Sequence, residues 1–144
     1  MLDFNIFITI LRHVFRDFIG VQELISEEMI TLPEKFQSVT AKMELTGSSP
    51  ATLWLNMTEL GIKIAMKKLA IPQSDEDRML MDTVGELLNI IVGTAQRQSA
   101  VRYDFSLPTA LKGENYPLRF NENSRRSAHR FIFEQFEALL ILEE

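Results

Sequence analysis

Three polar residues, Asp82, Glu86 and Asn89, recur at helical spacing within an otherwise apolar stretch between residues 82 and 95. At about 100° per residue, these three and Gly93 fall on a strip roughly 60° wide. Two carboxylates and an amide in line offer hydrogen-bonding groups to a second molecule, and a glycine beyond them leaves room for its backbone. The strip is therefore a candidate site, although the same pattern also fits the solvated face of a core helix.

The acid and amide pair of this strip suits the positioning of a water molecule. The Asn89 amide is no general base at neutral pH, but it can accept a hydrogen bond from water and donate one to a phosphoryl oxygen. Phosphoryl hydrolysis gains mainly from positioning and electrostatics, so an orienting amide is sufficient when the substrate carries its own metal. A carboxylate one turn earlier can bind a lysine on the partner. Asp82 and Glu86 could in principle hold Mg²⁺, but such sites usually borrow substrate phosphates, so no resident metal is expected.

Other catalytic chemistries find little support in the sequence. The two histidines, His13 and His129, are 116 positions apart and neither lies near a paired acid, which disfavours a Ser-His-Asp hydrolase or a histidine metal site. The chain has no cysteine and no Gly-Lys-Ser/Thr phosphate loop. An enzyme that uses ATP is therefore not expected.

The spacing Asp-x3-Glu-x2-Asn, followed by Gly93 and Ala95, resembles the active helix of the CheC/CheX/FliY family of chemotaxis phosphatases. A second tract, from Asp104 through Ser-Leu-Pro-Thr to Gly113, is similar to the strand that follows this helix in the family. Only one Glu-x2-Asn occurs, so the chain is most similar to CheX, whose single domain carries one site, whereas CheC usually carries two.

This resemblance implies a phosphatase that hydrolyses the aspartyl phosphate of a CheY-type response regulator receiver domain. The family's water-placing Asn and lysine-pairing Glu fall on Asn89 and Glu86, while Asp82 and Gly93 would support the site or contact the partner. The receiver would supply the Mg²⁺. By analogy with CheX, a homodimer joined through sheet edges is expected. The alternative is a non-catalytic binding or scaffold module of a chemotaxis or flagellar switch system, in which the strip is an interface or plain surface.

Composition limits the class of protein. A chain of 144 residues with 46% hydrophobic and 24% charged residues fits one folded domain over residues 1–144. A net charge of -5 argues against extended nucleic-acid binding, which needs a positive face. The apolar run of residues 4–11 follows Asp3 where a signal peptide has basic residues, and no stretch approaches the ~20 apolar residues of a membrane span. A cytoplasmic protein with no membrane partner is expected.

Hydrophobic periodicity predicts three helices on a largely antiparallel sheet, an α+β fold of the CheC/CheX-like kind. The helices are predicted over residues 7–18, 59–69 and 75–99, with Thr58 and Ser74 as candidate N-caps. The strands are predicted over residues 39–45 and 51–57 as a hairpin, then 101–107, 116–120, 131–133 and 139–142, with a ragged strand within 21–31. Residues 112–115 are predicted to form a turn.

Several side chains receive more specific predictions. Phe18 is predicted on the apolar face of the first helix and His13 on its solvated face. The helix over residues 59–69 is predicted to be buried around most of its circumference, with a solvent-exposed (wet) stripe formed only by Glu59, Lys63 and Lys67. Trp54 is predicted on the less buried face of the sheet, where it either covers the sheet or contacts a partner, and covering is favoured.

Two further features leave alternatives open. Gly85 and Gly93 lie inside a predicted helix, at a cost of about 1 kcal/mol each relative to alanine, which indicates close packing or close approach. A basic group near the C-terminus fits either a solvated loop or a surface for an acidic partner. This group consists of Arg125, Arg126, His129 and Arg130.

Overall fold

The computed structural model describes residues 2–20, 24–71 and 75–144. The helices are α1 (Phe4–Asp17), α2 (Glu59–Leu69) and α3 (Glu76–Gln98). The strands are β1 (Leu24–Ile30), β2 (Phe36–Gly47), β3 (Ala51–Met57), β4 (Tyr103–Phe105), β5 (Thr109–Tyr116), β6 (Arg126–Phe133) and β7 (Glu137–Glu143). Three helices packed on an antiparallel sheet confirm the predicted α+β fold class.

The sheet has the order β1-β6-β7-β3-β2, and β4 and β5 both pair with β2 at its far side. β4 pairs with the last residues of β2 and β5 with its first residues, so these two short strands follow one another along one edge. The predicted hairpin is confirmed, because Met43 lies opposite Leu53 and Lys42 opposite Trp54 in an antiparallel register. Alternation along β2 places Val39, Ala41, Met43 and Leu45 in the core under the helices.

Helix α1 begins at an N-cap aspartate, Asp3, whose side chain accepts a hydrogen bond from the Asn5 backbone N–H at 3.0 Å. His13 is exposed, as predicted. Phe18 is 56% exposed, so its predicted place on the buried face was wrong. The helix ends at Asp17, and Ile19 beyond it is buried in the core. Gly20 has a φ of 75°, a left-handed conformation that favours glycine.

Helix α2 has the predicted bounds, and its predicted wet stripe of Glu59, Lys63 and Lys67 is exposed. The prediction of burial around most of the circumference was wrong, because Leu60 is 52% exposed. The helix is buried mainly along a narrow line at Gly61, Ile62 and Ala65. A Cβ added at Gly61 would overlap the ring of Phe136, so glycine lets the helix approach that ring closely.

Two predictions about the edge beyond β2 were wrong. The alternation over residues 101–107 predicts one half-buried strand, but β4 ends at Phe105 and Leu107 is 85% exposed. Residues 112–115 lie inside β5 and form no turn, because pairing with β2 continues to Tyr116 across a shift in register. Asn115 has a φ of 53° and lies next to this register shift. Asparagine is typical of turns, but here it forms part of a β-bulge.

The outer face of the sheet is covered by irregular chain. The strand predicted over residues 116–120 was wrong, because Tyr116 is the last residue of β5 and residues 117–120 form no strand. Phe120 packs edge-on against Trp54 with ring centroids 5.2 Å apart. Trp54 covers this face of the sheet, as predicted, but it is itself buried, and it donates a hydrogen bond from Nε1 to the Glu143 carboxylate at 3.3 Å. The two closing strands are confirmed, although β6 begins earlier, at Arg126.

The ragged strand predicted within residues 21–31 is confirmed as β1 where the structure describes it, while residues 21–23 lie outside the described part. Across residues 2–20, 24–71 and 75–144, no helix is both long and apolar enough to span a membrane.

Candidate functional site

Helix α3 carries the candidate strip, and its N-terminal cap fixes where the strip begins. The Asp75 carboxylate accepts a hydrogen bond from the Arg78 backbone N–H at 2.9 Å. The cap is therefore Asp75, one residue after the predicted Ser74, which lies outside the described residues. A carboxylate at this position also complements the helix dipole.

The buried side of α3 anchors the helix in the core through fully buried apolar side chains. These are Leu80, Val84, Leu87, Leu88, Ile91, Val92 and Ala95. The buried Tyr103 hydroxyl of β4 donates a hydrogen bond to the Val92 carbonyl at 3.2 Å, and the Gln96 side chain donates one to the Tyr103 carbonyl. Burial raises the pKa of Tyr103 to about 12, so its hydroxyl remains a donor at neutral pH. These contacts fix the rotation of α3 and hence the direction of its exposed strip.

The predicted strip is brought together on the opposite side of α3. Asp82 and Glu86 are exposed, and Asn89 and Gly93 are partly exposed. The Asp82 carboxylate lies 4.0 Å from the Arg78 guanidinium. Glu86 and Asn89 take part in none of the side-chain hydrogen bonds or ion pairs found among residues 2–20, 24–71 and 75–144.

A second wall faces the strip, built from the edge of the sheet between β4 and β5. Ser106 continues the pairing with β2, because its backbone N–H donates to the Glu44 carbonyl and its hydroxyl accepts from the Glu44 N–H, both at 2.9 Å. Pro108 then packs on Gly85 of α3, where an added Cβ would lie 3.4 Å from the proline ring. The close packing predicted for Gly85 is confirmed.

An open groove of about 720 Å³ lies between α3 and this edge. It is lined by Asp75, Arg78, Met81, Asp82, Gly85, Glu86, Asn89, Leu107, Pro108 and Ala110. Sequence reasoning missed Arg78 and Met81 as groove residues, although Arg78 lies one helical turn before Asp82. It also missed that the Ser-Leu-Pro tract folds against the helix, because strand alternation alone does not say which edge a strand joins.

Gly93 differs from Gly85. A Cβ added at Gly93 would meet no atom within 4 Å in the described chain. The interior packing of this molecule therefore does not require a glycine there. Clearance for a partner at Gly93 stays a prediction.

The basic group near the C-terminus pairs with carboxylates of its own chain. Arg125 bonds Glu144, Arg130 bonds Glu28, and His129 Nε2 lies 2.9 Å from Glu27 Oε1. The Arg126 guanidinium lies over the Phe120 ring, 5.0 Å from its centroid. These internal pairs weaken the hypothesis of a surface for an acidic partner.

The donor set of the groove does not make a complete site for Mg²⁺. Asp82 and Glu86 offer two exposed carboxylates, and Arg78 offsets the charge of the first. Within the described residues, no cluster of three or more histidine or acidic side chains has the arrangement of a metal site. A hard cation needs about six oxygen ligands, so most of them would have to come from a bound partner or water.

Residues 39–132 match the family model described as chemotaxis phosphatase CheX. The chain belongs to the CheX family. No curated protein has a significant sequence match to it. Solved CheX structures share its fold along nearly the whole chain. CheX from Desulfovibrio desulfuricans has a TM-score of 0.80 at 19% identity and 97% coverage of both chains. CheX from Vibrio vulnificus has a TM-score of 0.79 at 17% identity and 96% coverage of both chains.

A third CheX structure contains a second protein. The CheX-CheY-BeF3-Mg²⁺ complex from Borrelia burgdorferi has a TM-score of 0.71 at 22% identity, covering 99% of this chain and 98% of that one. At these identities the structural likeness establishes the fold.

Proposed function

We propose that this chain hydrolyses the aspartyl phosphate of a CheY-type receiver domain. The observation that carries the proposal is the pair Glu86 and Asn89, which share one groove and lack partners within the described chain. A carboxylate and an amide left unpaired beside each other are available to a second molecule. Membership in the CheX family supports the assignment of this activity.

In the proposed reaction, the Asn89 side-chain carbonyl accepts a hydrogen bond from the attacking water and its NH₂ group donates to a phosphoryl oxygen. The water oxygen forms a bond to phosphorus in line with the aspartyl oxygen, and the bond between phosphorus and that oxygen breaks. The aspartate leaves as a carboxylate, and both protons of the water remain on the released phosphate. Asn89 thus contributes position and electrostatic stabilisation without accepting a proton.

Glu86 is proposed to bind a lysine ammonium of the receiver and so set the register of α3 against the phosphoryl group. Glu86 and Asn89 are three positions apart on the helix, a rise of about 4.5 Å, which keeps both groups on one face. Asp82 and Gly93 have a supporting role in partner contact. Mg²⁺ bound by the receiver would offset the phosphoryl charge.

The partner and assembly also belong to this proposal. The CheX-CheY complex from Borrelia burgdorferi supports a CheY-like receiver as the partner. A homodimer joined through a sheet edge and a cytoplasmic location remain proposals. The sheet offers two edges for such a dimer, β1 on one side and β4 with β5 on the other.

The test is the decay of a receiver domain that has been phosphorylated at its aspartate by a small phosphodonor in Mg²⁺ buffer. Wild type is expected to accelerate the decay, and Asn89→Ala is expected to lose about 10² to 10³ of the rate, or roughly 3 to 4 kcal/mol. Glu86→Ala is expected to lose activity as well. Asn123→Ala and Glu134→Ala are matched controls, because both residues are exposed outside the groove.

Unchanged turnover by Asn89→Ala would contradict the role assigned to Asn89, and no acceleration by wild type across a full panel of receivers would contradict the phosphatase. The second result would favour the scaffold alternative, and the strip would then be tested for binding alone.

A further inference from the structure

Leu107 is the most exposed large hydrophobic side chain in the described residues, at 85%. The next is Ile25, at 62% on β1. A leucine held in water forgoes the favourable free energy of burial, and nothing in the fold requires an apolar side chain there. Single exposed hydrophobic residues are common, so the exposure alone assigns no role. The surroundings of Leu107 supply the further observations.

The backbone around Leu107 is fixed on both sides. Ser106 makes two hydrogen bonds to Glu44 of β2, and its hydroxyl also donates to the Leu107 carbonyl at 3.1 Å. Pro108, with a φ fixed by its ring, packs against Gly85 of α3. The leucine is therefore presented by a short rigid segment, which reduces the entropy lost when a partner binds it.

Leu107 lines the same groove as Glu86 and Asn89. Met81 and Ala110 add apolar surface to this groove, and the carboxylates of Asp82 and Glu86 outnumber the single cation of Arg78 among the α3 residues from 78 to 89. A molecule that reaches Asn89 along the groove must therefore meet Leu107 on one side and the carboxylates on the other.

We propose that Leu107 is the apolar anchor that docks the phosphorylated receiver. It inserts into an apolar depression on the receiver surface, next to the phosphorylated aspartate and the lysine that binds Glu86. This inference rests on the proposed phosphatase function and adds a specificity determinant to it. Leu107 acts by positioning, because it fixes where the receiver sits and leaves the chemistry to Asn89. Receivers with a charged side chain in place of the depression are poor substrates.

Leu111 of β5, on the same edge of the sheet, provides a control. It is 42% exposed, pairs with Thr40, and lines a separate cavity with Trp54 on the outer face of the sheet. The two leucines therefore lie on opposite faces of this edge. Both substitutions replace a leucine, although Leu111 is less exposed than Leu107, and only Leu107 lines the groove that contains Asn89.

The experiment measures the initial rate of dephosphorylation against receiver concentration for Leu107→Ser, Leu107→Asp, Leu111→Ser and Leu111→Asp. The Leu107 variants are expected to raise KM about tenfold and to leave kcat within about twofold of wild type. A tenfold change in KM is the effect expected when one apolar contact with the receiver is lost. The Leu111 variants are expected to match wild type. Thermal melts of all four check that the fold is retained.

Binding to a receiver loaded with beryllofluoride and Mg²⁺, a stable phosphoryl mimic, separates this inference from the proposed activity. Asn89→Ala is expected to bind this receiver within a few-fold of wild type, whereas Leu107→Ser is expected to bind about tenfold more weakly. Weaker binding by Leu107→Ser but not by Leu111→Ser supports the anchor even if wild type shows no turnover. Equal binding by wild type and both Leu107 variants, or an equal loss in the Leu111 variants, overturns it. Absence of binding to every receiver also overturns it.

Discussion

Two carboxylates in this protein, Glu27 and Glu86, have opposite surroundings. Glu27 on β1 accepts hydrogen bonds from both Nε and Nη2 of Arg12, at 2.7 and 2.5 Å, and lies 2.9 Å from Nε2 of His129. Glu86 on α3 lies in an open groove and has no such partner in the described residues. Glu27 is paired within the folded chain, and Glu86 is available to bind a second molecule.

The difference shows how stability and function are divided in this chain. The Glu27 cluster joins α1, β1 and β6, which are distant in sequence, and its hydrogen bonds and ion pairs are made within the folded molecule. The α3 strip contributes little to folding, because its side chains leave water only if a partner binds. Substitutions in the two regions should therefore separate stability from activity.

The largest effect on stability is expected for Glu27→Gln, which leaves Arg12 and the buried His129 without an anionic partner. We expect a loss of about 2 kcal/mol in the free energy of unfolding, since Arg12 is partly exposed and its share is screened. Urea denaturation measures this loss. The matched variant Glu86→Gln is expected to change stability by less than about 0.5 kcal/mol. A larger loss for Glu86→Gln than for Glu27→Gln would contradict the roles assigned to these two carboxylates.

Acid titration gives a second check on the Glu27 cluster. Hydrogen bonding to Arg12 lowers the pKa of Glu27 in the folded state. A carboxyl group with a lowered folded pKa contributes stability above its unfolded pKa and loses it as the pH falls through the folded value. The ordinary pKa of a glutamate is near 4.5. The stability difference between wild type and Glu27→Gln should therefore shrink as the pH falls below that value. A difference that stays constant into strong acid would contradict the assignment.

A smaller effect is expected at Tyr103, on the buried side of α3. Tyr103→Phe removes the hydrogen bond to the Val92 carbonyl and should cost about 1 kcal/mol. The raised pKa of about 12 favours the neutral phenol in the folded state, so its contribution is present below pH 10 and lost as the pH rises toward 12. Alkaline unfolding curves should therefore show a steeper loss for wild type than for the variant. Parallel curves would show that the hydroxyl is not desolvated.

The smallest effect is expected at Gly93, on the strip itself. Gly93→Ala should raise the free energy of unfolding by up to about 1 kcal/mol, because the helix gains propensity and the added Cβ meets no atom within 4 Å. Gly85→Ala should gain less, since its Cβ would press on Pro108 at 3.4 Å. Thermal melts of the two variants show which of them is the more stable. A fall in kcat/KM for Gly93→Ala despite higher stability would indicate that the receiver approaches this position closely.

The sequence predicted the helical strip and the central hairpin well, and the sheet edge poorly. Asp82, Glu86 and Asn89 share a face because helical geometry is set by local hydrogen bonds, and the β2 and β3 register follows from alternation and a short turn. The strand alternation at Leu107 was misleading, because the edge is interrupted there by the contact between Pro108 and Gly85. Asn115 was misread as part of a turn, since only pairing with β2 reveals the bulge.

Residue type and helical period place an acid and an amide side by side, so the groups that this protein can offer to a substrate follow from the sequence alone. It also determined the fold class, through the order and period of its elements. Two features are visible only in the folded molecule: the Ser106–Pro108 segment forms the opposite wall of the groove, and Glu27 is paired while Glu86 is not. These outcomes depend on contacts between residues far apart in the chain, such as Gly85 with Pro108 and Glu27 with His129, which no local pattern encodes.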